Sequence, residues 1–322
     1  GTDVLGFPYI VGEKIKAGAA VADMDGNGID DIVFGTDSDY LHVVLDSGTS
    51  APNFPVSLSD RIQSEPAILD INGDKVILTG CKDNNFYAIN YNDGSLRFLI
   101  STGDDVFTSP SFYNNHIYFG SDDGNIYAVD YSGDLVEGYP IELGEEVIGT
   151  IIFADLLGNG VVSKIVATSA GKIYAFDESN VVLQHFPIEY QYPISSSPAV
   201  LDFDLDGDME IVVGTSGDLV IVDVKYQNGN SSEFWSLFKG GNERRGEFIS
   251  TAGNDWDCES PDNGDVNCDT IINILDIITV INIVIDGIDS YSNYELWSAD
   301  VNQDNIINIL DIVSIVNIVI AD

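Results

Sequence analysis

The first 250 residues repeat a short pattern of alternating apolar residues and turns. The stretch GNIYAVD at Gly124–Asp130 recurs as GKIYAFD at Gly171–Asp177, and weaker copies occur at Asn85–Asn90 and Gly217–Asp223. Apolar residues alternate with a period of two, and Asn-Gly, Asp-Gly and Ser-Gly pairs separate the apolar stretches. Such repetition restricts the chain to architectures built from one supersecondary unit, because each unit buries its apolar face against its neighbours.

Aromatic-proline pairs give the length of the repeat. Four pairs recur, with 47 residues between the first two and between the last two: Phe7-Pro8, Phe54-Pro55, Tyr139-Pro140 and Phe186-Pro187. Four short strands in a period of forty-odd residues are typical of a β-propeller blade. We therefore predict a mainly β chain with about five four-stranded blades, over residues 18–60, 61–104, 105–145, 146–191 and 192–238. The stretch at Phe7–Val11 is typical of a blade's last strand, so it either follows blades further upstream or closes a small ring.

Three motifs carry a resemblance to known propeller repeats. The IYAVD stretch with its turn resembles the pyrroloquinoline-quinone type of repeat. The stretches Val21–Gly35 and Leu201–Gly214 resemble FG-GAP repeats, and Phe234–Gly246 resembles a Trp-x-x-Phe…Arg-x-Gly segment found at one end of such propellers. The resemblance covers most of residues 1–248 and implies a fold rather than a function.

Two of the turns have the spacing of a calcium loop. Oxygen ligands at alternate positions around a glycine turn can surround one Ca²⁺ ion. In blade 1 the predicted ligands are Asp23, Asp25, Asn27, the Ile29 carbonyl and Asp31. In blade 5 they are Asp202, Asp204, Asp206, the Asp208 carbonyl and Glu210. The alternative is an acidic hairpin turn without an ion. The equivalent turn at Asp155 has Leu157 and Ser163 at ligand positions, so we predict no metal there.

The charge of the chain is strongly negative. Its 12 Lys and Arg residues against 53 Asp and Glu residues give a net charge of −41. Such a field repels nucleic acid and anionic membrane surfaces, so neither is an expected partner. No apolar run has the length and purity of a membrane span, so we expect no membrane insertion. The charge has two interpretations, a solvated acidic surface suited to high salt or a set of calcium sites.

A second, different repeat ends the chain. The stretches DVNCDTIINILD and DVNQDNIINILD begin 35 residues apart, at Asp265 and Asp300, and each leads into an apolar helix. Each has the oxygen spacing of a 12-residue calcium loop. The first loop offers Asp265, Asn267, Asp269, the Ile271 carbonyl, Asn273 and Asp276. The second offers Asp300, Asn302, Asp304, the Ile306 carbonyl, Asn308 and Asp311.

The paired loops resemble type I dockerin modules, the cohesin-binding domains of secreted bacterial proteins. The resemblance implies two Ca²⁺ ions here, beside the two predicted in the propeller, and a cohesin-like protein or cell-surface scaffold as partner. Position 6, usually Gly, is Thr270 or Asn305; Asn tolerates a left-handed backbone better, so we expect tighter binding by the second loop. The positions that face cohesin are Ile274, Leu275, Ile309 and Leu310, so we expect an unusually apolar contact.

Composition divides the chain into three parts. The stretch Lys239–Gly264 is rich in Gly, Asn, Asp and Ser, which is typical of a linker. We therefore predict a propeller over 1–248, a linker over 249–264 and a dockerin-like domain over 265–322. The helices of this domain are apolar nearly all round, which indicates a partner surface or, alternatively, dimerisation.

The cysteines indicate the compartment. If the protein is exported, we predict a disulfide between Cys258 and Cys268. Cys81 follows an apolar run and is predicted to be a buried, unreactive thiol. Because Gly1 begins within the repeat pattern, an export signal upstream of it would not be visible.

The sequence contains none of the common catalytic motifs. Phosphate-binding Gly-rich loops, Gly-x-Ser-x-Gly and His-Glu-x-x-His are all absent. We therefore favour a binding or display role for the propeller over an enzyme. The alternative is a polysaccharide-degrading, lyase-like enzyme, with polysaccharide as a further candidate ligand. A central pocket with converging Arg, Lys, Tyr or His residues would favour the lyase.

Overall fold

The computed structural model describes residues 4, 6–71, 73–226, 228–231, 234–240, 245–250, 264–266, 272, 274–286, 298–299, 301 and 307–321. The chain divides into two compact units, residues 1–248 and 249–322. The first contains antiparallel sheets and the second contains helices, and each is described by itself below.

The first unit consists of five sheets that follow one another along the chain. Blade 1 contains β1 (Ala20–Ala22), β2 (Asp31–Gly35), β3 (Tyr40–Val44) and β4 (Val56–Ser57). Blade 2 contains β5 (Ala67–Ile71), β6 (Asp74–Cys81), β7 (Asn85–Asn90) and β8 (Leu96–Ser101). Blade 3 contains β9 (Ser111–Tyr113), β10 (His116–Gly120), β11 (Asn125–Val129) and β12 (Ile141–Glu142). Blade 4 contains β13 (Val147–Ala154), β14 (Ser163–Thr168), β15 (Lys172–Phe176) and β16 (Ile188–Glu189). Blade 5 contains β17 (Ala199–Leu201), β18 (Glu210–Gly214) and β19 (Leu219–Asp223).

These sheets confirm the predicted mainly β, propeller-type architecture, with two differences. Blade 5 has three strands among the described residues, not four. Blade 2 gains a fifth strand, β20 (Glu247–Ser250), which lies beside β5. The structure assigns no strand to Phe7–Val11. The count of described strands therefore departs from four in blades 2 and 5.

The core lies between the sheets and follows the two-residue period of the strands. In β7, Phe86 and Ala88 pack in one apolar cluster, whereas Tyr87 and Ile89 pack in another on the opposite face. The Phe86 ring stacks on Phe119 of blade 3 with 4.0 Å between centroids. Each such buried aromatic ring contributes roughly 1.5–3 kcal/mol to folding. Alternation therefore gives every inner blade two apolar faces, one for each neighbouring blade.

A segment after blade 5, here called the joining segment (residues 230–248), connects several blades. The Phe153 amide donates to the Trp235 carbonyl at 3.0 Å, and the Val200 amide donates to the Ser236 carbonyl at 3.1 Å. The C-terminal end of the joining segment accepts hydrogen bonds from blades 1 and 2. The Val21 amide donates to the Arg245 carbonyl, and the Ile68 amide donates to the Gly246 carbonyl.

The joining segment includes residues whose composition predicts a linker. Lys239 is 7% exposed, and its ammonium group contacts the carbonyl of Ala19. Hydrogen bonds to distant residues therefore hold Lys239 within the stretch 1–248 predicted for the propeller, and the linker bounds 249–264 stay a prediction.

The described residues of the second unit include the helices α1 (Ile274–Asp286) and α2 (Ile309–Ala321), which pack against each other. This confirms the helices predicted after each loop. Its small core consists of fully buried apolar residues: Val266, Val280, Ile283, Ala299 and Ile315. Equivalent residues of the 35-residue repeat, such as Val280 and Ile315, occupy the same position in the two helices.

Candidate calcium sites

The blade 1 loop brings three of its predicted ligands together. Ligand oxygens of Asp23, Asp25 and Asp31 lie within 4.8 Å of one another. Asp23 accepts hydrogen bonds from the amides of residues 26, 27 and 28, and the Gly28 amide, at 2.7 Å, is the main cause of the lowered pKa of Asp23. Burial raises the pKa of Asp31. The loop thus presents one ionised carboxylate and one buried carboxylate to a common point.

The side chain of Asn27, predicted as a ligand at the centre of this loop, is engaged in two hydrogen bonds with other groups. The Asn27 side chain accepts from the Ile29 amide at 2.8 Å and donates to Asp46 at 3.2 Å. Asp46 lies at the end of β3 and donates its own amide to Asp31 at 2.8 Å. The sequence motif does not include Asp46, because that residue lies 15 positions beyond Asp31 and reaches the loop only through strand pairing.

The blade 5 loop gathers four carboxylates. Ligand oxygens of Asp204, Asp206, Asp208 and Glu210 lie within 4.8 Å of one another. The sequence predicted the Asp208 carbonyl as a ligand, whereas the structure also places the Asp208 side chain in the cluster. Burial and a hydrogen bond with Asp206 raise the pKa of Asp208 to about 6.

Unpartnered oxygens in the same loop fit a cation. One carboxylate oxygen each of Asp202, Asp208 and Glu210 is buried without a hydrogen-bond donor from the protein. The other Asp202 oxygen accepts from the Gly207 amide at 3.2 Å. Buried anionic oxygens need a compensating positive charge, and Ca²⁺ prefers such ligands. The donor set therefore fits one calcium ion, with Asp202 supporting the turn.

The blade 4 loop has the same backbone arrangement without the acidic cluster. Asp155 accepts from the amides of Leu157, Asn159 and Gly160, as Asp23 does in blade 1. Among the described residues, no second or third acidic side chain joins Asp155 within ligand distance. One aspartate that accepts hydrogen bonds from backbone amides is therefore sufficient to hold this loop conformation. These hydrogen bonds do not explain the additional carboxylates in the blade 1 and blade 5 loops.

The helical unit buries three of its predicted ligands. Asp265 is 1% exposed, and Asp276 and Asp311 are fully buried. Asp276 and Asp311 lie in the first turns of α1 and α2, where a negative charge is favourable. Asp311 also accepts from the Asn308 amide at 2.9 Å, which fixes the start of α2. The last position of both loops is therefore placed identically.

The remaining predicted ligands of this unit lie outside the described residues. They are Asn267, Asp269, Ile271, Asn273, Asp300, Asn302, Asp304 and Ile306. The same holds for Cys258 and Cys268. Cys81 is buried, as predicted, and burial raises the pKa of its thiol to about 12.

The predicted partner positions are exposed symmetrically. Ile274 is 65% exposed and Ile309, at the same place in the second copy, is 69% exposed. One turn further along, Ile278 and Val313 are 47% and 49% exposed. The side chains of Leu275 and Leu310 are outside the described set. Each helix therefore keeps an exposed apolar stripe opposite its buried face.

The propeller unit has a polar cavity among the blades. It has a volume of about 510 Å³ and is lined by Gln63, Glu65, Phe107, Ser109, Gly149, Ser195, Ser196, Ser197, Pro198, Ala199, Leu237 and Phe238. None of these described lining residues is Arg, Lys, Tyr or His. The lining of this cavity thus does not include the residue types expected of a lyase site.

Tyrosine and lysine do meet between blades 3 and 4. A cavity of about 230 Å³ there is lined by Tyr118, Tyr139 and Lys164 among others. Burial raises the pKa of Tyr118 to about 12 and lowers that of Lys164 to about 8. The Lys164 ammonium group donates to the carbonyl of Asp177 at 2.8 Å. Tyr118 thus stays protonated near neutral pH and cannot act as a base there, and the Lys164 ammonium group is hydrogen-bonded within blade 4.

Comparison with known proteins identifies the C-terminal region. Residues 263–319 match the family model of the dockerin type I domain. Dockerin domains generally bind calcium and cohesin partners, and the proteins that carry them are typically extracellular or on the cell surface. No curated protein matches the chain significantly. Among the described residues, no helix has the length and apolar character needed to cross a membrane.

Two solved structures show a distant likeness to the chain. They are crystal structures of BBS1N in complex with ARL6DN, soaked with lead and with mercury, with TM-scores of 0.48 and 0.46 and 14% identity in both cases. The matches cover 66% and 64% of this chain and 66% and 59% of those chains. The chain thus spans less than two thirds of either structure's chain, and the propeller description rests on the sheets themselves.

Proposed function

We propose that the chain is a secreted calcium-binding protein in which a β-propeller is attached to a cohesin-type scaffold or cell-surface partner by its C-terminal dockerin-type module. The match at residues 263–319 carries this proposal. The placement of Asp276 and Asp311 supports it, because both final loop positions are buried at the start of a helix. The propeller then serves as the binding or display domain.

Calcium acts differently in the two units under this proposal. In the module, two ions neutralise aspartates that would otherwise repel one another inside a small core. In the propeller, one ion in each of the blade 1 and blade 5 loops clamps a hairpin turn. The four ions together would reduce the net charge of the chain from −41 by eight units.

The two apolar stripes form the partner surface. Ile274 and Ile309 occupy equivalent positions 35 residues apart and are exposed to nearly the same extent. An approximate two-fold relation between the helices would let a partner bind in either of two orientations. Aliphatic contacts at the centre of an interface favour a partner with a matching apolar patch.

The experiment is a binding assay of the full chain on immobilised type I cohesin domains, with calcium and with chelator. We expect calcium-dependent capture. Ile274→Asp or Ile309→Asp alone should leave measurable binding, whereas the double variant should abolish it. Val181→Asp, at a propeller residue that is 59% exposed, is the matched control and should bind as the parent does. Equal capture of the parent and the double variant would contradict the proposed surface.

A further inference from the structure

One row of paired residues differs between blade 4 and the other blades. The middle residue of this row is isoleucine in blades 1, 2, 3 and 5, where the rows are Val21–Ile32–Val44, Ile68–Ile77–Ile89, Phe112–Ile117–Val129 and Val200–Ile211–Val222. In blade 4 the equivalent row is Phe153–Lys164–Phe176. The rows are equivalent because each middle residue lies three positions before a small residue at or next to the end of the second strand: Gly35, Gly80, Gly120, Ala167 and Gly214. A lysine therefore occupies a position that is apolar elsewhere in the repeat.

The Lys164 side chain is buried although it carries a charge. Lys164 is 6% exposed. Among the described residues, its ammonium group makes one hydrogen bond, to the Asp177 carbonyl at 2.8 Å, and no ion pair. A lysine has three N–H donors, so two of them lack a protein acceptor there. A buried charge destabilises the folded state unless polar groups compensate it, and isoleucine packs at this position in the other blades. Packing alone therefore does not require the lysine.

Lys164 lines the cavity of about 230 Å³ between blades 3 and 4, here called the tyrosine cavity. Tyr118, Val162 and Lys164 are its buried lining residues, and Glu137 and Glu178 are exposed at its mouth. Every lining residue lies between positions 113 and 180, within the stretch of blades 3 and 4. The cavity is therefore formed by two adjacent inner blades and takes no residue from either end of the chain.

Three tyrosines form the wall that blade 3 contributes to the tyrosine cavity. The rings of Tyr118 and Tyr139 meet edge to face, with 5.8 Å between centroids. The Tyr139 hydroxyl donates to the Asn180 side-chain oxygen at 3.1 Å. The Tyr113 ring stacks on Phe153 of blade 4 with 5.1 Å between centroids. Each tyrosine is thus held by a second group, so the wall has its shape before a ligand binds.

The charges around the tyrosine cavity disfavour both kinds of ion. Glu137 and Glu178 add to the net charge of −41 and repel an anion, whereas Lys164 repels a cation. Burial lowers the pKa of His116, so this imidazole is neutral near neutral pH. A neutral ligand with several hydroxyl groups matches both charges, because hydroxyl oxygens accept from the ammonium group and hydroxyl hydrogens donate to a carboxylate.

We propose that the tyrosine cavity binds one neutral sugar unit, whose hydroxyl groups contact Lys164 and Glu178 and whose apolar C–H face packs on the tyrosine wall. The volume of about 230 Å³ is below the roughly 300–1,000 Å³ of sites for drug-sized ligands, so it suits one ring rather than a chain. Tyrosine suits this wall because its ring is apolar and its hydroxyl is polar. The inference rests on the binding role proposed for the propeller and gives that role a ligand class.

The first test is saturation-transfer difference NMR of the full chain in calcium with glucose, galactose, mannose and xylose, and with glucuronate and glucosamine as charged comparisons. We expect saturation transfer to at least one neutral sugar and less to the two charged sugars. Absence of transfer to all four neutral sugars overturns the proposal. Stronger transfer to glucuronate or glucosamine than to every neutral sugar overturns it as well.

Lys164→Ile places in blade 4 the residue of the other four blades. We expect this variant to lose sugar binding at least tenfold, while its Tm stays equal or rises because a buried charge is removed. Lys14→Ile is the matched control, because it removes the same charge from a side chain that is 69% exposed and leaves Asp37 its contact with Lys16. The control should bind as the parent does. Unchanged binding by Lys164→Ile overturns the proposal.

A second variant keeps the test valid if Lys164→Ile lowers the Tm. Glu178 is exposed, so Glu178→Gln should leave the Tm unchanged and weaken sugar binding several-fold by removing a charged acceptor. Glu189→Gln, at an exposed residue of β16 outside the cavity, is its control and should bind as the parent does. Equal affinity of Glu178→Gln and the parent overturns the proposed contact.

The cohesin assay and the sugar assay fail independently. The double variant Ile274→Asp, Ile309→Asp should lose cohesin capture and keep sugar binding, whereas Lys164→Ile should show the reverse. Capture of the parent on cohesin without binding of any neutral sugar overturns this inference and leaves the attachment role intact. Sugar binding without cohesin capture supports the inference and contradicts the attachment role.

Discussion

The propeller and the helical module place acidic loops against cores of very different size. In the propeller, the loops lie at the ends of hairpins whose strands are buried in three large apolar clusters. In the module, Asp265, Asp276 and Asp311 are buried beside five fully buried apolar residues. A calcium ion bound at these loops would therefore contribute a different share of the stability of each unit, since a small core cannot support uncompensated charge.

The largest expected effect is on the module. Residues 258–322 alone should be largely disordered in chelator and helical with calcium, because two sites each contribute about 2.7 kcal/mol at a hundredfold excess over Kd. That sum is comparable to the whole stability of a domain of this size. Far-ultraviolet circular dichroism measures the change. A helical spectrum that does not respond to calcium would refute the loop assignment.

The next effect is on the blade 5 loop. Asp204→Ala should lower the Tm of the propeller by roughly 5–10 °C in calcium, because about 2–3 kcal/mol of ion binding is lost from a domain of this length. In chelator the same variant should melt as the parent does. Asp23→Ala should behave likewise for the blade 1 loop. Calorimetry in both buffers checks this, and equal losses in both would argue against metal at these loops.

The blade 4 loop provides the contrast. Asp155→Ala removes the acceptor of three backbone amides and should cost about 1–2 kcal/mol, as the loss of a capping side chain does. The loss in Tm should be the same with calcium and with chelator. A loss seen only in calcium would show that this loop binds an ion despite Leu157 and Ser163, and would remove the distinction between the loops.

The smallest effect concerns the thiols. Cys81 reports whether the propeller core stays buried when calcium is removed. Cys81 should resist iodoacetamide in the native chain at pH 8, because burial raises its pKa to about 12, and chelation should not expose it. Peptide mapping of exported protein without reduction should find Cys258 linked to Cys268 and Cys81 free. Free thiols at both positions would contradict the pairing, and rapid labelling of Cys81 in chelator would show that loss of calcium opens the core around this thiol.

Local patterns made much of this architecture predictable. The turns and the alternation in GNIYAVD lie within one hairpin, so the sequence specifies β11 and its neighbours directly. The pairing of β20 with β5 joins residues about 180 positions apart, and no local signal marks it. The contact of Lys239 with the Ala19 carbonyl is equally distant in sequence, and the Gly-rich composition around Lys239 does not mark it.

The candidate sites were predictable to a similar degree. Alternating acidic residues located both hairpin loops, and the 35-residue repeat placed Asp276 and Asp311 at equivalent helix starts. The sequence did not predict that the Asp208 side chain joins the acidic cluster, because its position in the motif ordinarily provides a carbonyl oxygen. Which way such a side chain turns depends on the packing of β18 and β19, which the loop sequence does not encode.

The route by which the module is connected has a mechanical consequence. A scaffold that holds the module pulls the chain from its C-terminal side, and the load enters the propeller through β20, which lies in the blade 2 sheet. From there the joining segment passes tension to strands of blades 1, 2, 4 and 5 through the backbone hydrogen bonds described above. Tension applied through the module would thus be shared by several sheets of the propeller unit.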